Sequence, residues 1–155
     1  MRILFELLKN FPLIAALISM LVGQALKIIY YYIVDRKLNF MHFFESGGMP
    51  SAHSAMVAAL VVAAGISYGW SSGYLAISVA FACIVVYDAV GVRRATGYQS
   101  AILNRIIEDL YKSGRISTDK LHEFMGHTPL EVMGGLVLGI CVALALYFGV
   151  YIFVT

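Results

Sequence analysis

Apolar residues fill four long stretches of this chain, about 11–34, 54–70, 74–92 and 130–154, and the charged residues are concentrated between them. Each stretch approaches or exceeds the roughly 18 to 20 residues that carry a helix across a bilayer. The second, 54–70, is the shortest. The pattern predicts an all-α fold, an integral membrane bundle of about four transmembrane helices. Arg2 and Lys9 precede the first stretch, as in a signal peptide. The apolar run is too long for one and no small-residue cleavage pattern follows, so a retained helix is expected.

The connections differ in character. Residues 35–53 are polar and glycine-bearing and end in Gly47-Gly48-Met49-Pro50-Ser51-Ala52-His53-Ser54. Ser71-Ser72-Gly73 is long enough only for a tight turn, which predicts an antiparallel hairpin of the second and third spans. Residues 93–129 form the one sizeable extramembrane insert. Within it Ile102, Leu103, Ile106, Ile107 and Leu110 recur at helical spacing between Asn104, Arg105, Glu108 and Asp109. This predicts an amphipathic helix, either on the membrane surface or against the bundle. A second short helix over 118–125 would end at Gly126 as a C-terminal cap. With no repeat, low-complexity tract or long linker, 1–155 reads as a single domain.

Composition agrees with the pattern. Of 155 residues, 61% are hydrophobic, with a mean hydropathy of +0.83, too apolar for the surface of a small water-soluble domain. The formal net charge of +2 gives no footprint for nucleic acid. With four spans, one membrane face receives Arg2 and Lys9. The other receives Arg36, Lys37, Arg93, Arg94, Arg105, Lys112, Arg115 and Lys120. The positive-inside rule puts the second face in the cytoplasm, in the plasma membrane of a bacterium, though phosphate-binding arginines produce the same asymmetry. Cys83 and Cys141 fall in apolar spans at a spacing that suits neither a metal nor a disulfide framework.

The polar residues that hydrophobicity does not explain are Lys27, Arg36, His53, Asp88, Arg93, Arg94, His127 and Glu131, all expected on one side. An ionisable residue at a membrane helix centre costs roughly 2.5 to 3.5 kcal/mol on insertion scales, so a partner or ligand must compensate it. His53 and His127 each precede a long apolar run and each lies near a proline, Pro50 or Pro129, that fits a first helical turn. Unpaired helix N-terminal donors favour an anion there, and phosphate is the natural candidate. One imidazole can attack phosphorus while the other protonates the leaving alkoxide. Arg and Lys stabilise the equatorial oxygens. An ordinary imidazole pKa of about 6.5 makes both protonation states accessible near neutrality.

Pro50-Ser51-Ala52-His53 resembles the Pro-Ser-Gly-His motif of the type 2 phosphatidic acid phosphatase superfamily, and His127-x-x-x-Glu131 resembles its final His-x-x-x-Asp motif. Together with Tyr87-Asp88-Ala89-Val90-Gly91-Val92-Arg93-Arg94 and Gly126-His127-Thr128-Pro129-Leu130-Glu131-Val132, the chain is similar over nearly its whole length to the divergent branch of that superfamily. The resemblance implies His53 as general acid, His127 as the nucleophile that forms a phosphohistidine, and Glu131 as the carboxylate that orients it. The expected substrate-binding set is Lys27, Arg36, Ser51, Asp88, Arg93 and Arg94. In that set Lys27 with Arg36 stands for the first motif and Arg93 or Arg94 for the arginine of the third. The chain departs from the superfamily pattern in three places. The first motif lacks its proline and has wider Lys-to-Arg spacing, Ala52 replaces glycine, and residues 95–126 separate the arginines from His127.

Simpler roles stand beside these. Thr128-x-x-Glu131 is a capping box in its own right. Arg93 and Arg94 suit a helix C-terminus and a membrane flank. Lys27 is close enough to the end of its span to snorkel to the interface, and Asp88 suits a salt bridge to a nearby arginine. His42 and His122 read as ordinary interfacial histidines. The expected function is hydrolysis of a lipid phosphate ester, such as phosphatidylglycerol phosphate or phosphatidic acid, at a cytoplasm-facing site with no metal or cofactor. A polyprenyl diphosphate phosphatase, a metal-assisted phosphatase using Asp88 and Glu131, and a non-catalytic lipid-phosphate binding or transport protein are the alternatives. Gly135 and Gly139 form a small-residue face that serves internal packing or a homodimer.

Overall fold

The computed structural model describes residues 6–36, 48–112 and 127–149, without the side chains of 35, 92–96, 98, 109, 111 and 112. After a helical stretch at 6–8, the principal helices are α1 (Phe11–Asp35), α2 (Ala52–Tyr68), α3 (Gly73–Val90), α4 (Val92–Lys112) and α5 (Pro129–Gly149), and there is no strand among the described residues. Three are long and apolar enough to cross a membrane: α1 over Phe11–Val34, α3 and α5. The short helix expected at 118–125, its Gly126 cap, His42 and His122 lie outside the described residues.

α2 is the shortest apolar helix, 17 residues or roughly 25 Å. It is also the central one, packed against α1, α3 and α5. A helix shielded by its neighbours does not itself have to match the full lipid thickness.

The interior is built from small residues. Ala15, Ser19, Gly23 and Lys27 follow one another at four-residue spacing on the buried face of α1. Ala52, Ala55, Ala59 and Ala63 line α2, and Gly135, Gly139 and Ala143 line α5. Large apolar side chains point outward, among them Leu17, Leu21, Ile77, Phe81, Ile84, Val137, Ile140 and Phe148. This inversion of the water-soluble pattern follows from the solvent. Lipid tails are as apolar as leucine, so burying large side chains gains little, whereas small residues let backbones approach closely. A methyl added at Gly139 would run into the Ala55 carbonyl, and one at Gly135 into the Ser51 carbonyl. The small-residue face of α5 is therefore occupied within the chain, by α2.

Helix directions follow from these contacts. Phe11 and Ala15 share a cluster with Ala59 and Ala63, while Gly23 abuts Ala52, so α1 and α2 are antiparallel. Gly135 meets Ser51 and Ser54, and Gly139 meets Ala55 and Ala58, so α5 runs parallel to α2. Between α2 and α3 the turn occupies 69–72. Gly69 has φ +90°, the Ser72 N–H donates to the Gly69 carbonyl (3.2 Å), and Ser72 caps α3 by accepting from the Leu75 N–H (3.2 Å). The hairpin expected from Ser71-Ser72-Gly73 forms, shifted back because Gly73 is already helical. Exposed Tyr68, Trp70 and Tyr74 mark one end of the bundle and Tyr30, Tyr32 and Tyr87 the other, as interfacial aromatics do.

Candidate functional site

α1 and α3, both antiparallel to α2, end where α2 and the parallel α5 begin. That end therefore carries Lys27, Tyr31 and Arg36 from α1, Ser51 and His53 from the start of α2, Asp88 from the end of α3, and His127 and Glu131 from the start of α5.

The start of α5 is a reciprocal capping box. The Glu131 N–H donates to Thr128 Oγ1 (3.3 Å), and Glu131 Oε2 accepts from the Thr128 N–H (3.3 Å). The same Oε2 lies 2.9 Å from His127 Nδ1. The two roles considered for Glu131 are thus combined in one carboxylate: it closes the helix and it holds the imidazole. His127 is 1% exposed, and its Nε2 is buried with no hydrogen-bond partner among the described residues. With Nδ1–H donated to Glu131, Nε2 carries the free lone pair, the arrangement a carboxylate partner imposes on a histidine that must act through its other nitrogen.

Ser51 caps α2, its Oγ accepting from the Ser54 N–H (3.3 Å) and the Ser54 hydroxyl (2.9 Å). Its own N–H donates to the Glu131 carbonyl (3.0 Å), which ties the first histidine segment directly to the first turn of α5. Met49 and Pro50 also lie against Gly134. His53, half-buried at the second position of α2, and His127 are thus carried by touching segments. Pro129 opens α5 as expected. Pro50 does not open α2: it precedes the Ser51 cap and lies outside the helix, because the serine side chain takes over the first donors.

Lys27 is fully buried, so it does not snorkel to the interface. Gly23 touches Ala52 and Tyr31 touches Gly48, and Lys27 is spaced four residues from each. It therefore sits on the α1 face turned toward residues 48–52. Arg36 is exposed and closes α1 in the left-handed region (φ 55°), its N–H donating to the Tyr32 carbonyl (3.1 Å). Arg36 is nine positions beyond Lys27, roughly 13 Å along the axis. The two cations sit at different depths. Asp88 is half-buried near the end of α3. Arg93 and Arg94 are in the first turn of α4 rather than in a linker after a helix, and the role expected of their side chains lies outside the described residues. No group of three or more His, Cys, Asp or Glu comes together as a metal-ligand set among the described residues.

Tyr31 belongs to this end and was not singled out in the sequence. Gly48 has φ +92°, and a Cβ there would lie 2.6 Å from the Tyr31 hydroxyl. Its only sequence signal is a four-residue step from Lys27, inconspicuous within Tyr30-Tyr31-Tyr32.

A compact helical bundle with small residues inside and large apolar residues outside, carrying paired histidines at one end, defines an integral membrane protein. A family model described as "Divergent PAP2 family" matches residues 8–142, and the chain belongs to that family. It is also similar to the uncharacterized membrane protein YuiD of Bacillus subtilis (strain 168), 38% identical over 152 residues that cover 91% of this chain and 96% of that protein. No solved structure matches the chain.

Proposed function

We propose that the chain is a membrane lipid-phosphate phosphatase that works through a phosphohistidine on His127, with its site facing the cytoplasm. The observation that carries the reading is the buried His127 imidazole, held at Nδ1 by Glu131 with Nε2 left unpartnered among the described residues. The N-termini of α2 and α5, whose partial positive charge favours phosphate, meet at this end, and Lys27 is buried on the α1 face turned toward residues 48–52.

In this reaction Nε2 attacks phosphorus as the bond to the lipid alkoxide breaks, and His53 gives that oxygen its proton. Water then attacks the phosphohistidine. His53 takes the water's proton, inorganic phosphate leaves, and His127 is restored. Glu131 stabilises the positive charge that the imidazole carries in the intermediate. Nε2 is covered in this structure, so a phosphate reaches it only by displacing the groups that cover it.

Purified protein incubated with phosphatidic acid or phosphatidylglycerol phosphate tests the proposal. Release of inorganic phosphate, persisting in a chelator and lost in His127→Ala, is expected. Binding of lipid phosphate without release identifies a binding or transport protein instead. Strict dependence on added magnesium returns Asp88 and Glu131 to a metal-assisted reaction.

A further inference from the structure

The amphipathicity of α4 is inverted with respect to the protein body. Ile102, Leu103 and Ile106 are exposed, at 58%, 47% and 50%, on the same side as Gln99. Gly97 and Asn104, on the opposite side, are buried. A water-facing helix with this sequence would turn those three residues inward and Asn104 outward. α4 starts at Val92, directly after Gly91 caps α3, and so leaves the bundle at the end marked by the exposed interfacial Tyr87. Its exposed apolar residues lie in the second half of the helix, beyond that end. The α4 sequence is also basic, with Arg93, Arg94, Arg105 and Lys112 against Glu108 and Asp109.

We propose that α4 is an interfacial helix lying in the head-group layer of the bilayer, with Ile102, Leu103 and Ile106 inserted among the acyl chains. An outward apolar face on a helix of basic sequence that leaves the interfacial end of α3 fits a bilayer boundary. The proposal is independent of whether the chain is a phosphatase.

The test uses the full chain with Cys83 and Cys141 replaced by alanine, reconstituted in vesicles of phosphatidylethanolamine and phosphatidylglycerol. Single cysteines at 102, 103, 106 and, for reference, 105 carry a spin label, whose collisions with oxygen and with a water-soluble nickel chelate are compared. A higher oxygen-to-nickel ratio at 102, 103 and 106 than at 105 is expected. Nickel access at those three sites equal to that at 105 overturns the proposal, because the face is then in water. Protection from both reagents, with spin–spin broadening that disappears on dilution with unlabelled protein, also overturns it, because a second copy then covers the face.

Discussion

At the scale of single residues, the two histidines differ in what holds them, and so in what their loss should do. His127→Ala should abolish both turnover and acid-labile phosphoenzyme, measured by phosphate release and by trapping labelled phosphate on the protein. His53→Ala should slow turnover typically 10²- to 10⁴-fold, with the smallest effect on substrates whose leaving group needs no proton. Glu131→Gln keeps a side-chain oxygen for the Thr128 N–H but loses the charge facing His127. Phosphoenzyme formation should slow while thermal unfolding hardly moves. Gly48→Ala places a methyl against the Tyr31 hydroxyl at a positive φ, a strain of about 1 to 3 kcal/mol. It should lower activity, and adding Tyr31→Phe should restore part of the loss by removing the oxygen while the backbone strain stays. A double-mutant cycle on phosphate release reads this directly.

At the scale of elements, the two helices that carry the histidines are joined by backbone contact. Gly135 and Gly139 hold α5 against the carbonyls of Ser51 and Ala55, and the Ser51 N–H reaches the Glu131 carbonyl. Gly139→Ala should therefore cost about 1 to 3 kcal/mol as overpacking, measured by unfolding in detergent. Because Gly139 is a turn farther from the histidines than Gly135, its loss should affect stability more than turnover. Gly135→Ala, next to the Ser51 carbonyl, should impair both. Thr128→Ala removes one half of the capping box and should destabilise by about 1 kcal/mol.

At the scale of the whole molecule, α1 and α3 running antiparallel to α2 and α5 gather every candidate site residue at one end. The proposed cytoplasmic orientation of that end rests on the Lys and Arg asymmetry. In right-side-out cells, a cysteine at Arg105 should be shielded from an impermeant maleimide and one at Ser71 should react. The reverse result inverts the orientation without touching the chemistry, since both histidine segments remain at one end.

Because length, apolar content and caps are local properties, the sequence by itself located the apolar helices, though their ends moved by up to several residues. The spans read as 11–34, 54–70, 74–92 and 130–154 became Phe11–Asp35, Ala52–Tyr68, Gly73–Val90 and Pro129–Gly149. The Thr128-x-x-Glu131 box was legible for the same reason, as was the placing of both histidine motifs at one end, which follows from counting the apolar spans. Tertiary structure decided which faces meet. The apolar helices are hydrophobic nearly all round, so no amphipathic period marks an inner side, and steric fit between small residues chooses it. That choice buried Lys27 rather than letting it snorkel, left Arg36 exposed at another depth, and placed Tyr31 on Gly48. It also turned Gly135 and Gly139 inward against α2, and joined two histidine segments 74 residues apart through the bond from Ser51 to Glu131. A long-range backbone contact of that kind leaves no local pattern to read, because it exists only once the two helices lie side by side.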